Sequence, residues 1–155
     1  MAVRDQITSA GLNELRAAGD GGKPTQEQLD RYFQAAGLGW KCQNDADKHS
    51  RNNWCGFFAC YCLQTAGLTS ARWQPGLGIV GPVKKIWGYK GVQPGDVAVL
   101  AHDSHHIVIT QVNPSFVADV EGNGKPPDNN PSLGGVITTA QRPISAITAY
   151  YQIQA

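Results

Sequence analysis

Charge is scarce in this sequence. Only 16% of its 155 residues are Asp, Glu, Lys or Arg, against roughly 25% in an ordinary soluble domain. The formal net charge is +1. A balance so near zero removes the electrostatic case for nucleic acid as the main partner. Long apolar runs are also missing. The longest, Trp54 to Leu63, falls far short of the about 20 residues that a spanning helix needs, so no membrane span is expected. The opening stretch, Met1 to Asp20, mixes Arg4 with Asp5 and has no apolar core. It does not read as a secretory signal, so synthesis in a reducing cytoplasm is the expectation.

Metal-binding cysteine patterns are absent too. The cysteines are Cys42, Cys55, Cys60 and Cys62. Their spacing fits neither a CxxC redox pair nor a paired-CxxC zinc site. Cys60 and Cys62 stand two apart and point to different sides of a helix, so they cannot converge on one ion with Cys55 and a His. No metal and no other cofactor is expected. A disulfide from Cys42 to a helical cysteine stays open.

What the chain does have is apolar content. Hydrophobic residues make up 41%, enough for one core, and residues 1–155 read as a single domain. The 18 Gly and 9 Pro point to turns and short strands rather than a bundle. Residues 4–18 read as a helix with Ile7, Leu12, Leu15 and Ala18 on one face. Thr25 and Gln28 form a capping-box pattern ahead of a second helix carrying Leu29, Tyr32, Phe33 and Ala36. This helical part, 1–37, is expected to pack on a core spanning 40–153.

Residues 38–53 are polar and irregular, and a buried helix follows from Trp54 to Gly67. Residues 68–91 read as loop-rich, with a short helix after Pro82 bearing Val83, Ile86 and Trp87. From Asp96 the pattern turns to strands: 96–101, 106–112, 116–122, 135–140 and 146–153. Residues 124–134 read as an exposed loop. Helices first and strands second predict an α+β fold with an antiparallel sheet of about five to six strands.

Cys55 opens the most apolar helix, so its sulfur sits where free N–H groups and a partial positive charge favour a thiolate. The same N–H groups can hold the oxyanion formed when a carbonyl is attacked. The competing reading of Cys55 is a small buried hydrophobe, which is also the reading of Cys60 and Cys62.

A cysteine nucleophile needs a base, and the base needs an orienting group. His105 and His106 stand at the start of a strand, on opposite faces of it. His49 and His102 lie in irregular stretches. Glu121 ends the next strand and comes close to His105 or His106; periodicity does not choose between them. Without a partner, Glu121 is a solvated strand-end charge and Asn123 a turn residue.

These residues form a recognisable order. Asn53-Trp54-Cys55-Gly56-Phe57-Phe58 resembles the cysteine-bearing helix start of the CHAP amidase and NlpC/P60 group of papain-like peptidoglycan hydrolases. Gln93-Pro94-Gly95-Asp96-Val97 is similar to the turn and strand before the group's catalytic histidine. His106-Ile107-Val108-Ile109-Thr110 resembles its histidine strand, Glu121-Gly122-Asn123 the acidic motif of the CHAP branch, and Arg142-Pro143 with Ile147 to Tyr150 its closing strand. The resemblance covers roughly residues 40–153.

The resemblance implies a papain-like fold with Cys55 as nucleophile, His106 as base, Glu121 orienting the imidazole and Asn123 assisting. It implies cleavage of an amide bond in the peptidoglycan stem peptide by a monomer, without metal. A glutamine often stands before the family's cysteine as oxyanion donor; here Asn52 and Asn53 occupy that place. The expected setting is an antibacterial effector delivered to a target cell's periplasm, with a cognate immunity protein as partner. The alternatives are a phage endolysin domain, a papain-like protease or acyltransferase acting on proteins, and a non-catalytic binding module.

Overall fold

The computed structural model describes residues 2–19, 21–37, 54–100, 105–124 and 135–155. The expectations for Cys42, His49, Asn52, Asn53 and His102, and for most of the 124–134 loop, lie outside these residues. Helices come first: α1 (Val3–Ala18), α2 (Gln26–Ala35) and α3 (Cys55–Thr65). The strands follow as β1 (Arg72–Gln74), β2 (Gly78–Val80), β3 (Val83–Trp87), β4 (Val97–Leu100), β5 (His106–Val112), β6 (Phe116–Gly124), β7 (Val136–Pro143) and β8 (Ile147–Ile153). The fold is α+β, with N-terminal helices against a C-terminal antiparallel sheet. Among the described residues, no helix is long and apolar enough to cross a membrane.

Helix α2 starts where the capping box sets it. Thr25 Oγ1 accepts from the Gln28 N–H at 3.1 Å, and Gln28 Oε1 accepts from the Thr25 N–H at 3.0 Å. The Gln28 amide also donates to Glu14 Oε1 at 3.3 Å, and the Tyr32 hydroxyl donates to the same oxygen at 2.6 Å. This polar cluster ties α2 to α1. The buried face of α1 is Ile7, Ala10, Gly11 and Glu14, and Leu12, Leu15 and Ala18 are only partly covered. Small residues on that face let α1 lie close to the sheet.

Helix α3 is apolar on nearly every side, as a helix covered all round must be. Its residues Cys55 to Cys60, Cys62 and Leu63 are all buried. It packs between α1, α2 and the sheet, whose strand order is β3-β8-β4-β5-β6-β7. Alternation divides the sheet residues. Val97, Val99, Val108, Val120 and Tyr151 join the helices in the main core. Ala98, Leu100, Ile107, Ile109, Val117 and Tyr150 build a second core on the other face.

The short helix expected after Pro82 is instead the edge strand β3, paired antiparallel with β8 from Val83↔Ile153 to Trp87↔Ala149. Five residues are too few for apolar spacing to separate the two periods. Cross-strand pairing with β8 decides the matter. The stretch before it also holds the β1–β2 hairpin.

The Pro94-Gly95-Asp96 turn fastens both ends of the chain. Asp96 is fully buried. Its Oδ1 accepts from Arg4 Nη1 at 2.7 Å and from the Ile153 N–H at 3.0 Å, and its Oδ2 accepts from the Gln93 N–H at 2.9 Å. Truncation strands a buried donor and an arginine. Asp96→Ala should therefore lower the unfolding free energy by about 3 kcal/mol, read from the urea midpoint. An unchanged midpoint would show that the turn holds without it.

Candidate active site

Cys55 is the first residue of α3. The preceding Trp54 takes the N-cap position and makes no side-chain capping bond. The thiol therefore sits at the positive end of the helix. Its sulfur accepts the backbone N–H of His106 at 3.3 Å and lies 3.9 Å from His106 Nδ1. His105, the residue before β5, also favours the thiolate electrostatically. His105 Nε2 meets Glu121 Oε1 at 2.8 Å. The sulfur thus meets the His106 imidazole and is influenced by His105 as well.

Two glycines make this meeting possible. A Cβ on Gly122 would stand 2.6 Å from Trp54 Cζ3 and 2.7 Å from Phe58 Cβ. Only a glycine lets β6 pass over the head of α3 and bring Glu121 to the cysteine's end. A Cβ on Gly56 would stand 2.1 Å from Trp73 Cζ3, so the Trp73 ring lies directly on the first turn of α3. That ring meets the His106 imidazole edge-on at 5.0 Å, and Tyr151 stacks on the same imidazole at 5.9 Å.

Glu121 has a second anchor. Arg142 Nη2 donates to both of its carboxylate oxygens, at 2.8 and 2.9 Å. Arg142 Nε reaches Asp119 Oδ2 at 3.3 Å, and the Ala140 N–H donates to Asp119 Oδ1 at 3.0 Å. Asp119 and Glu121 are both buried. Burial and the neighbouring Glu121 charge push the Asp119 carboxyl up. For Glu121, burial works the same way but is outweighed by His105, Asp119 and Arg142, so its carboxyl is held well below the usual range. Glu121 keeps the charge of this pair.

That charge reaches the thiol through His105. Burial disfavours the imidazolium, but Cys55 and Glu121 outweigh it and raise the His105 pKa to about 9. Burial likewise disfavours the Cys55 thiolate, and His105 and His106 outweigh it, bringing the thiol down to about 6. Between those values the pair is thiolate and imidazolium. Cys60 goes the other way, pushed up to about 12 by burial, and Cys62 is also raised by burial. None of the three forms a disulfide.

The structure brings Cys55, both histidines and Glu121 together, but Glu121 meets His105 and not the His106 that the resemblance favours for this role. Strand parity is the reason. Val108 pairs with Val120 on the helix side, where His106 also faces. Glu121, one residue on, shares the face of His105. Asn123 lies in a bulge of β6, with φ +54 and its side-chain oxygen against Gly135. Asp119, Arg142, Trp73 and Tyr151 are parts of the site that motif reading missed. The one available signal was the spacing of Asp119 and Glu121, two acids on the same face of an apolar strand.

No protein-family model, no curated protein and no solved structure matches the chain. The functional reading therefore rests on this geometry and the motifs that produce it. Among the described residues, no group of His, Cys, Asp and Glu is arranged to hold a metal ion.

The thiol is only 1% exposed, so alkylation tests access and ionisation together. With iodoacetamide, Cys55 should label at pH 6–7 with a midpoint near pH 6, the value that its neighbours impose. Cys60 and Cys62 should stay unlabelled, as peptide mapping would show. A Cys55 that labels no faster than these two in the native protein would remove it as a nucleophile.

Proposed function

We propose that the protein is a cysteine hydrolase that cleaves an amide bond in the stem peptide of peptidoglycan. The observation that carries this is the sulfur at the head of α3 beside the His106 imidazole, with the adjacent His105, which also favours the thiolate, anchored by Glu121. The motif order shared with the CHAP and NlpC/P60 hydrolases supplies the substrate class. Cys55 thiolate attacks the amide carbonyl carbon, and backbone N–H groups at the helix head stabilise the oxyanion. His105 imidazolium gives its proton to the leaving nitrogen as the C–N bond breaks, leaving a thioester on Cys55. Neutral His105 then takes a proton from water. The hydroxide displaces the sulfur, releasing a carboxylic acid and restoring the ion pair.

We assign proton transfer to His105 because Glu121 holds its ring; His106 forms the wall of the adjoining groove. The proposed setting is an antibacterial effector acting on a target cell's wall, neutralised in its producer by an immunity protein. The test is digestion of purified peptidoglycan, with mass spectrometry of the released fragments. New amino ends at one position of the stem peptide are expected. Intact peptidoglycan after prolonged incubation would overturn the reading.

A further inference from the structure

Beside His106 runs a groove of about 440 Å³, between the β1–β2 hairpin and the edge of the sheet. Trp73, Leu77, Lys85, Trp87, His106 and Tyr151 line it. Leu77 and Trp87, at 59% and 77% exposure, are the two exposed large hydrophobic side chains among the described residues. Both stand on this one groove, and apolar side chains left in water around a concavity mark a binding surface.

The charge in the groove has one sign. Among its lining residues there is no Asp or Glu. The Lys85 ammonium lies 4.7 Å from the Trp87 ring centroid and 5.8 Å from that of Tyr151, and no described carboxylate pairs with it. Alternation along β3 sets Val83, Lys85 and Trp87 on the helix side of the sheet. There Lys85 stands across from Tyr151, whose ring is 5.9 Å from that of His106. Ammonium and imidazole are therefore within the span of about four extended peptide residues, roughly 13 Å.

We infer that Lys85 and Trp87 form a subsite for a free carboxylate on the substrate peptide, within four residues of the amide that Cys55 attacks. The carboxylate pairs with Lys85, and the adjoining apolar part of the peptide lies on Trp87. This inference rests on the proposed hydrolase activity for its placing of the scissile bond. The carboxylate subsite itself depends only on the groove. It deepens the reading by selecting, among stem peptides, those whose glutamate carboxyl is free over those in which it is amidated.

The test is calorimetric binding to the Cys55→Ala protein, which cannot turn the ligand over. One ligand pair is the stem pentapeptide with its glutamate α-carboxylate free, and the same peptide with that group as carboxamide. A second pair, acetyl-Ala-Ala-Glu-Ala-Ala-amide and its glutamine counterpart, tests the groove without peptidoglycan chemistry. The carboxylate member of at least one pair should bind about tenfold more tightly, the gain of a charge-assisted hydrogen bond. Lys85→Gln in the same background should bring that ratio to one. Trp87→Ala should weaken both members alike. A preference confined to the second pair leaves the subsite standing and counts against the peptidoglycan reading. Equal affinities within both pairs, binding of neither pair, or a preference that survives Lys85→Gln overturns the subsite.

Discussion

Cys55→Ala should slow the release of peptidoglycan fragments by at least about 10⁴-fold, because covalent catalysis loses its only nucleophile. Among the described residues no neighbouring thiol can substitute. Cys60 and Cys62 are buried in the same helix and held protonated. The structural cost is small by comparison, about 1 kcal/mol for removing one buried sulfur, so a thermal melt should stay cooperative. Cys55→Ser separates chemistry from shape. A hydroxyl keeps the volume but does not ionise near pH 6 as the thiol does, so it should recover little of the rate. The rates are read as soluble fragments per enzyme over time. A folded Cys55→Ala protein that keeps more than about 1% of the wild-type rate would remove the sulfur from the mechanism.

Different parts of this architecture were legible to different degrees, for physical reasons. Thr25 and Gln28 announced the start of α2 because a capping box is local: donor and acceptor are both within four residues of sequence. Helix α3 was legible from its apolar run stopped at Gly67, and strands β4 to β8 from apolar runs bounded by turn residues. The segment after Pro82 was not, because its conformation is set by hydrogen bonds to β8, some seventy residues away. Cys55 stood out at the helix head, but that place alone favours a buried core thiol, and only the order of motifs made it the candidate nucleophile. The choice between His105 and His106 could not be made from periodicity. It depends on the β5–β6 register, and that register shifts between Ile109 and Gln111, a one-residue irregularity with no mark in the residue types. Arg142 was visible only as part of a closing-strand motif. Its role appears once β7 is laid beside β6, where Asp119 faces Ala140 and Glu121 faces Thr138.

The register makes its own prediction, and it separates the two histidines. His105→Ala should lower the hydrolysis rate by about 10³-fold, since it removes both the proton carrier and the partner of the thiolate. His106→Ala should cost less and act mainly on KM, because that ring walls the groove. The pH dependence sharpens the contrast. In the wild-type enzyme, activity should rise as Cys55 ionises near pH 6 and fall as His105 loses its proton near pH 9; both limbs belong to the coupled pair. Glu121→Gln removes the charge that favours the imidazolium. The His105 pKa then falls, and the alkaline limb moves down. A less protonated His105 supports the thiolate less, so the Cys55 pKa rises and the acid limb moves up. The active range should narrow from both sides, with about 10²-fold lost at its centre. Arg142 stays paired, because Asp119 no longer feels the Glu121 charge and can ionise beside it. A Glu121 that served only to hold β6 against β7 would lower the rate at every pH and leave both limbs in place. Loss of the limbs in His106→Ala, with His105→Ala still active, would transfer the proton to the other ring.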